Sequence, residues 1–207
     1  MSESLRIQTF PVGLLAVNCY LIHAPGSTEA LLIDPGDEAA DLAEEIEGAG
    51  LTLRGILLTH GHFDHIGAVP GLVARYGVPV YIHPGDAGLY ASPENCMPPW
   101  FAAVKGLPAP ADRPPTAAGL SFAVLPTPGH SPGGVCYHFP QAGVAFTGDT
   151  LFAGSVGRTD FPGGNVADLM ASIRGVLFRL PGETRIYPGH NEPSTIAAEQ
   201  ATNPFVR

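Results

Sequence analysis

The sequence predicts an α/β protein made of two mixed β-sheets flanked by helices. Three observations lead there. Short apolar runs, spaced by turn residues, recur from the N-terminal residues to Tyr187. Segments with helical apolar spacing fall between them, first over 38–50 and most clearly over 166–180. The same order, strands first and then alternation of strand and helix, occurs in both halves of the chain. Helices on the outsides of two packed sheets would bury the apolar runs.

Taken in order, "LRIQTF", "NCYLIHA" and "EALLIDPG" read as three short strands bounded by turn residues. "EAADLAEEIEGAG" (38–50) reads as a helix that stops at Gly. "RGILLTH" is a buried strand, and "IGAVPGLVARYG" a helix whose first turns are weakened by Pro70 and Gly71. "VPVYIH" is a further strand. Residues 84–118 are rich in proline and read as a long loop or lid, in which Trp100 and Phe101 are taken as packing residues, with pocket lining as the alternative. In the second half "LSFAVLPTPGH", "GVCYHF", "GVAFTGD" and "TRIYPGH" are strands. "VADLMASIRGVLFRL" and "EPSTIAAEQAT" are helices. No linker splits the chain, so 1–207 is expected to be a single domain.

Composition excludes some functions. The 207 residues are 45% hydrophobic, enough for a substantial core. Ten basic residues stand against 19 acidic ones, a net charge of -9, which argues against nucleic-acid binding and anionic membranes. The 26 glycines and 22 prolines form no tract and mark tight turns. No stretch is long and apolar enough to span a membrane, and "MSESLRIQTF" does not resemble a signal peptide. Cys19, Cys96 and Cys136 are odd in number and far apart, so bridges are not expected and the cytoplasm is the default compartment.

The densest chemical signal is "THGHFDH". It places three of the eight histidines, His60, His62 and His65, and Asp64 within six residues, directly after an apolar run. Residues two apart in extended chain point to the same side, so His60 and His62 can reach one metal. Asp64 and His65 follow a bend and can reach an adjacent one. So dense a polar group after a buried strand gains nothing from packing and is costly without partners. Further candidates follow other apolar runs: His130 in "TPGHS", Asp149 in "TGDT" and His190 in "YPGH". Strand ends sharing one direction line one edge, where open α/β sheets place their sites. Zinc accepts His nitrogen and Asp oxygen and, in catalytic sites, leaves a position for water. His23, His83 and His138 lie in or beside strands and read as structural.

These motifs, from "LIDPG" (32–36) to "NPF" (203–205), resemble the metallo-β-lactamase superfamily. The resemblance implies the αββα sandwich of that superfamily. It implies His60, His62 and His130 at a first metal, Asp64, His65 and His190 at a second, and Asp149 between them. Asp34 and Thr59 would support the metal loop. The cofactors implied are two divalent ions, zinc foremost, with iron or manganese as alternatives. "THGHFDHIGA", "TPGHSPGGVCYHF" and "GDTLFAGSVGR" are most similar to the glyoxalase II branch, thioester hydrolases acting on S-acyl glutathiones. Asp149, where some lactamases carry cysteine, fits that branch.

The implied reaction is hydrolysis of a small-molecule thioester. Two metals lower the pKa of a coordinated water and polarise a carbonyl, Asp64 orients the nucleophile, and the thiolate leaves. Arg158 matches the branch's basic substrate-binding position. Asp160 and Glu192 stand where that branch has tyrosines, and its C-terminal helical extension has no counterpart in these 207 residues. Arg158 is therefore either an anion clamp or a partner for Asp160. "GRTDF" (157–161) and "NPF" are also similar to persulfide dioxygenases of the same superfamily, in which one iron would be held by His60, His130 and Asp149.

Overall fold

A computed structural model describes residues 5–206. Residues 1–4, on which part of the signal-peptide reading rests, and residue 207 lie outside the described residues. The described residues divide into two compact units, 5–82 with 87–120 and 83–86 with 121–206. Each holds one five-stranded mixed sheet. Among the described residues no helix is long and apolar enough to cross a membrane.

In the first unit, β1 (Arg6–Val12), β2 (Val17–His23) and β3 (Glu29–Ile33) form an antiparallel meander. Pro11 lacks an N–H and sits on the edge strand β1, where that loss is tolerated. Helix α1 (Ala39–Gly48) carries the chain to β4 (Thr52–Leu57), which pairs parallel to β3. The short helix α2 (Phe63–Ile66) and α3 (Val69–Tyr76) then lead to β5 (Val80–Tyr81), parallel to β4. Parallel pairs need such crossovers because no tight turn can reverse the chain twice. Leu42 and Ile46 of α1 and Val69 and Leu72 of α3 close the core over Leu32 and Ile56. The sequence predicts one helix over 66–77, whereas the structure has a break between Ile66 and Val69. Pro70 has no N–H to offer the carbonyl of Ile66, so one helix cannot run through. It is accepted in the first turn of α3 instead. Residues 84–118 contain only a 3-10 turn (Pro84–Asp86), the four-residue α4 (Ala87–Tyr90) and an isolated bridge between Met97 and Phe101.

The second unit orders its sheet β12-β11-β8-β7-β6. Strands β6 (Ala123–Pro126), β7 (Val135–Phe139) and β8 (Val144–Gly148) form a second meander. A small hairpin, β9 (Leu151–Phe152) with β10 (Ser155–Val156), follows. Helix α5 (Val166–Gly175) crosses to β11 (Arg185–Pro188), parallel to β8. Strand β12 (Ser194–Thr195) and α6 (Ile196–Thr202) end the unit. α5 starts at Asn165, whose side chain accepts the N–H groups of Ala167 and Asp168. Its Leu169 and Ile173 bury against Leu151, Ile186 and Ile196. The helical run expected to reach Leu180 stops at Gly175 and continues as a 3-10 turn, Leu177–Arg179. Two antiparallel steps separate β6 from β8, so β6, β8 and β11 all run the same way.

Candidate metal centre

In the first unit the donors follow the end of β4. His60, His62 and His65 are buried, at 2%, 6% and 0% exposure. His62 keeps an extended backbone (φ -65°, ψ 148°) and caps α2, so Asp64 and His65 lie in the following turn. The His60 ring centroid lies 4.8 Å from that of His62 and 4.1 Å from that of His65. Two other segments brace this turn. Asn95 accepts the N–H of Phe63 (3.1 Å) and donates to the carbonyl of Gly61 (2.7 Å). The loop after β3 brings Gly36 so close that a Cβ there would stand 1.9 Å from the carbonyl oxygen of Asp64. Only glycine permits that approach.

Asp34, in the same loop, decides where the protons sit. Its Oδ1 accepts the N–H of Thr59 (2.7 Å) and its Oδ2 the hydroxyl of Thr59 (2.6 Å). Oδ2 also lies 3.1 Å from His65 Nδ1. An ionised carboxylate only accepts, so His65 carries its proton on Nδ1. Because the Thr59 hydroxyl proton goes to Asp34, its oxygen is left to accept from His60 Nδ1 at 3.0 Å. In this arrangement both rings carry their lone pair at Nε2, the form a metal needs. Candidate ligand atoms of Asp34, His60 and His65 lie within 4.8 Å of one another. The carboxylate is already engaged by Thr59 and His65, as a group bracing the histidines would be. Burial, with the Asp34 charge added to it, pushes the Cys19 thiol well up. A protonated thiol is a poor nucleophile and ligand.

In the second unit His130 follows β6, Asp149 follows β8 and His190 follows β11. His130 Nδ1 donates to the carbonyl of Arg158 at 2.7 Å, which again leaves Nε2 as the donor atom. Asp149 Oδ2 lies 3.6 Å from His130 Nε2 and 3.7 Å from His190 Nε2. In the first unit His65 Nε2 lies 3.8 Å from Asp64 Oδ2. All three separations exceed a hydrogen bond. Two ligands each about 2.1 Å from one ion at a tetrahedral angle would stand about 3.4 Å apart. The donor types, tautomers and spacings fit divalent ions, and Asp149 faces two histidines, as a bridging carboxylate would.

Two residues outside the sequence-level site brace these loops. Asn95 is one. The other is Asp86, 0% exposed, which accepts the hydroxyl of Ser131 (2.7 Å) and the N–H of Gly133 (2.5 Å) just beyond His130. Each is a single polar residue whose only sequence signal is its place in a Pro- and Gly-rich segment. Arg158 makes a bidentate pair with Asp160 at 2.7 and 2.6 Å, and its guanidinium lies 3.9 Å over the Phe161 ring. That pair holds the Asp160 carboxyl down at about 2. Glu192, like Asp160, is exposed. His23 Nδ1 lies 3.1 Å from the carbonyl of Ala24, and His83 Nδ1 accepts the N–H of Gly85 at 3.1 Å.

Comparison with known proteins follows the same motifs. The profile described as the metallo-beta-lactamase superfamily matches residues 12–190. A hydroxyacylglutathione hydrolase of Haemophilus influenzae, GloC, is 37% identical, covering 98% of each chain. The crystal structure of TTHA1623 in a di-iron-bound form is 42% identical with a TM-score of 0.85, covering 96% of this chain and 99% of that one. The BLEG-1 B3 metallo-beta-lactamase is 34% identical with a TM-score of 0.86, covering 97% and 99%. A profile match over most of the chain, near full-length relatives and the same two mixed sheets agree: this chain belongs to the metallo-β-lactamase superfamily.

Proposed function

We propose that the chain is a metal-dependent hydrolase of thioesters, acting in the cytoplasm on S-acyl glutathione-type substrates. In this reading 1–207 works as one domain. His60, His62 and His130 would hold one ion and Asp64, His65 and His190 a second, with Asp149 shared between them. The observation that carries it is that Nδ1 of His60, His65 and His130 lies 3.0, 3.1 and 2.7 Å from an oxygen, an arrangement in which Nδ1 donates and Nε2 can ligate. The likeness to GloC supports the substrate class, and the di-iron form of TTHA1623 makes iron a serious alternative to zinc.

When bound, two divalent ions lower the pKa of a coordinated water and polarise the thioester carbonyl. The protein's own groups do the rest. Asp34 holds His65 directly and His60 through Thr59, so neither ring can rotate or shift its proton without breaking a buried hydrogen bond. The Asp64 carboxylate accepts a hydrogen bond from the attacking water and orients it. A C–O bond forms as the C–S bond breaks. The sulfur departs as thiolate, whose modest basicity lets it leave without a general acid. Arg158 is paired with Asp160 and would take a substrate carboxylate only by exchanging that partner.

The test is metal analysis of the purified chain together with turnover of S-lactoylglutathione, a β-lactam such as nitrocefin, and glutathione persulfide. Two ions per chain and thioester turnover support the reading. One iron with oxygen consumption on the persulfide would replace it by the dioxygenase. β-Lactam turnover alone would replace it by a lactamase.

A further inference from the structure

A pocket of about 190 Å³ lies wholly within the first unit. The β1–β2 turn supplies Leu14 and Leu15, the residue before Asp64 supplies Phe63, and the Pro-rich segment supplies Trp100 and Phe101. The rings of Phe63 and Phe101 lie 5.0 Å apart and form one wall. Leu14 is 82% exposed and Trp100 69%, so large apolar groups stand in water at the mouth. Tight turns ordinarily carry Gly, Asn, Asp or Ser there. Trp100, expected to pack, is instead held outside the core beyond Pro98 and Pro99. The charged residues lining it are both acidic, Asp37 and Asp64, and among the described residues no basic one lines the pocket.

We propose that this pocket receives an aliphatic acyl chain of the thioester, with the carbonyl end at Asp64. The assignment rests on the hydrolase reading, in which Asp64 orients the attacking water. An anionic thiol carrier would meet only carboxylates here, so the pocket suits the acyl side of the substrate. A lactoyl group would leave most of it wet. The volume holds about six groups the size of a water molecule, and therefore an acyl chain of about six carbons. Each methylene taken from water is worth about a fourfold gain in binding.

The sequence has one tryptophan, so Trp100 reports occupancy without catalysis. The metal-loaded chain is assayed on acetyl, butanoyl, hexanoyl and octanoyl esters of N-acetylcysteamine, an uncharged thiol. Separately, Trp100 emission is followed while 1-hexanol or ethanol is added. The expected result is a rise in kcat/KM of at least tenfold from butanoyl to hexanoyl, with a plateau beyond. Leu14→Gln and, independently, Trp100→Gln flatten that series, with folding checked by circular dichroism. 1-Hexanol shifts the emission to the blue and ethanol does not. Turnover of all four esters at one rate, with no emission shift, overturns the pocket and leaves the hydrolase reading standing. An emission shift with no turnover of any of these esters or of S-lactoylglutathione supports the alkyl pocket and overturns the hydrolase reading.

Discussion

Replacing Asp34 by asparagine removes one charge and leaves the shape of the site. The position has φ +50°, a left-handed conformation that Asn tolerates about as well as Asp. Asn Oδ1 can still accept the N–H of Thr59. Its amide, however, now faces both the Thr59 hydroxyl and His65 Nδ1, where the carboxylate accepted. Hydrogen bonds to a charged group are worth about 1.5–3 kcal/mol and neutral ones about 0.5–1.5, so three weakened bonds cost about 3 kcal/mol. For a chain of this size that is a fall in Tm of roughly 6–12 °C. The amide N–H also pushes the His65 proton from Nδ1 to Nε2, the atom that must ligate. Loss of such support costs about 10–100-fold in metal affinity. Thermal unfolding of the metal-stripped protein reads the first effect, and competition with a chelator reads the second. Imidazole nitrogen NMR shows the tautomer. If Asp34→Asn unfolds within 1 °C of the parent and keeps its affinity within about twofold, Asp34 does not set these tautomers.

Three further outcomes are expected. His190→Ala should lose one of two ions and at least about 100-fold in thioester turnover while keeping its circular dichroism; two ions at full occupancy would contradict the assigned ligands. Asp160→Asn should release the Arg158 guanidinium and lower KM for S-lactoylglutathione severalfold with little change in kcat; an unchanged KM would remove Arg158 from substrate binding. Burial holds the His138 imidazole below its ordinary value, so below about pH 6.5 the unfolded chain binds more protons than the folded one. The stability this neutral ring supplies is present above that pH and is lost as pH falls through the folded value. His138→Gln should therefore flatten the decline of Tm between about pH 6.5 and 5, and parallel curves for parent and variant would refute it.

The parts of the fold legible in the sequence are those fixed by local pattern. The runs of β2, β3 and β8 are almost wholly buried, as is the second half of β4, so they read as continuous apolar stretches. The position of His60, His130, Asp149 and His190 just past strand ends was legible for the same reason. The β9–β10 hairpin was not, because two-residue strands leave no periodicity to detect. Asn95 and Asp86 were missed because nothing in their neighbours reveals that they are buried. Their value comes from partners 34 and 47 residues away. The same holds for Trp100, whose exposure is decided by where a proline-rich segment happens to lie.

The spacing of the donors along the chain has a consequence for how metal and folding are linked. His60, His62, Asp64 and His65 fall within six residues, whereas Asp149 and His190 meet only when β11 docks beside β8. An unfolded or half-synthesised chain thus already holds a short chelating peptide. Ion bound by that peptide stabilises the disordered state as well as the native one. The rise in Tm on adding metal should therefore fall short of what the native affinity alone dictates. In the two-ion reading, the emerging N-terminal half would capture an ion before the later ligands have left the ribosome.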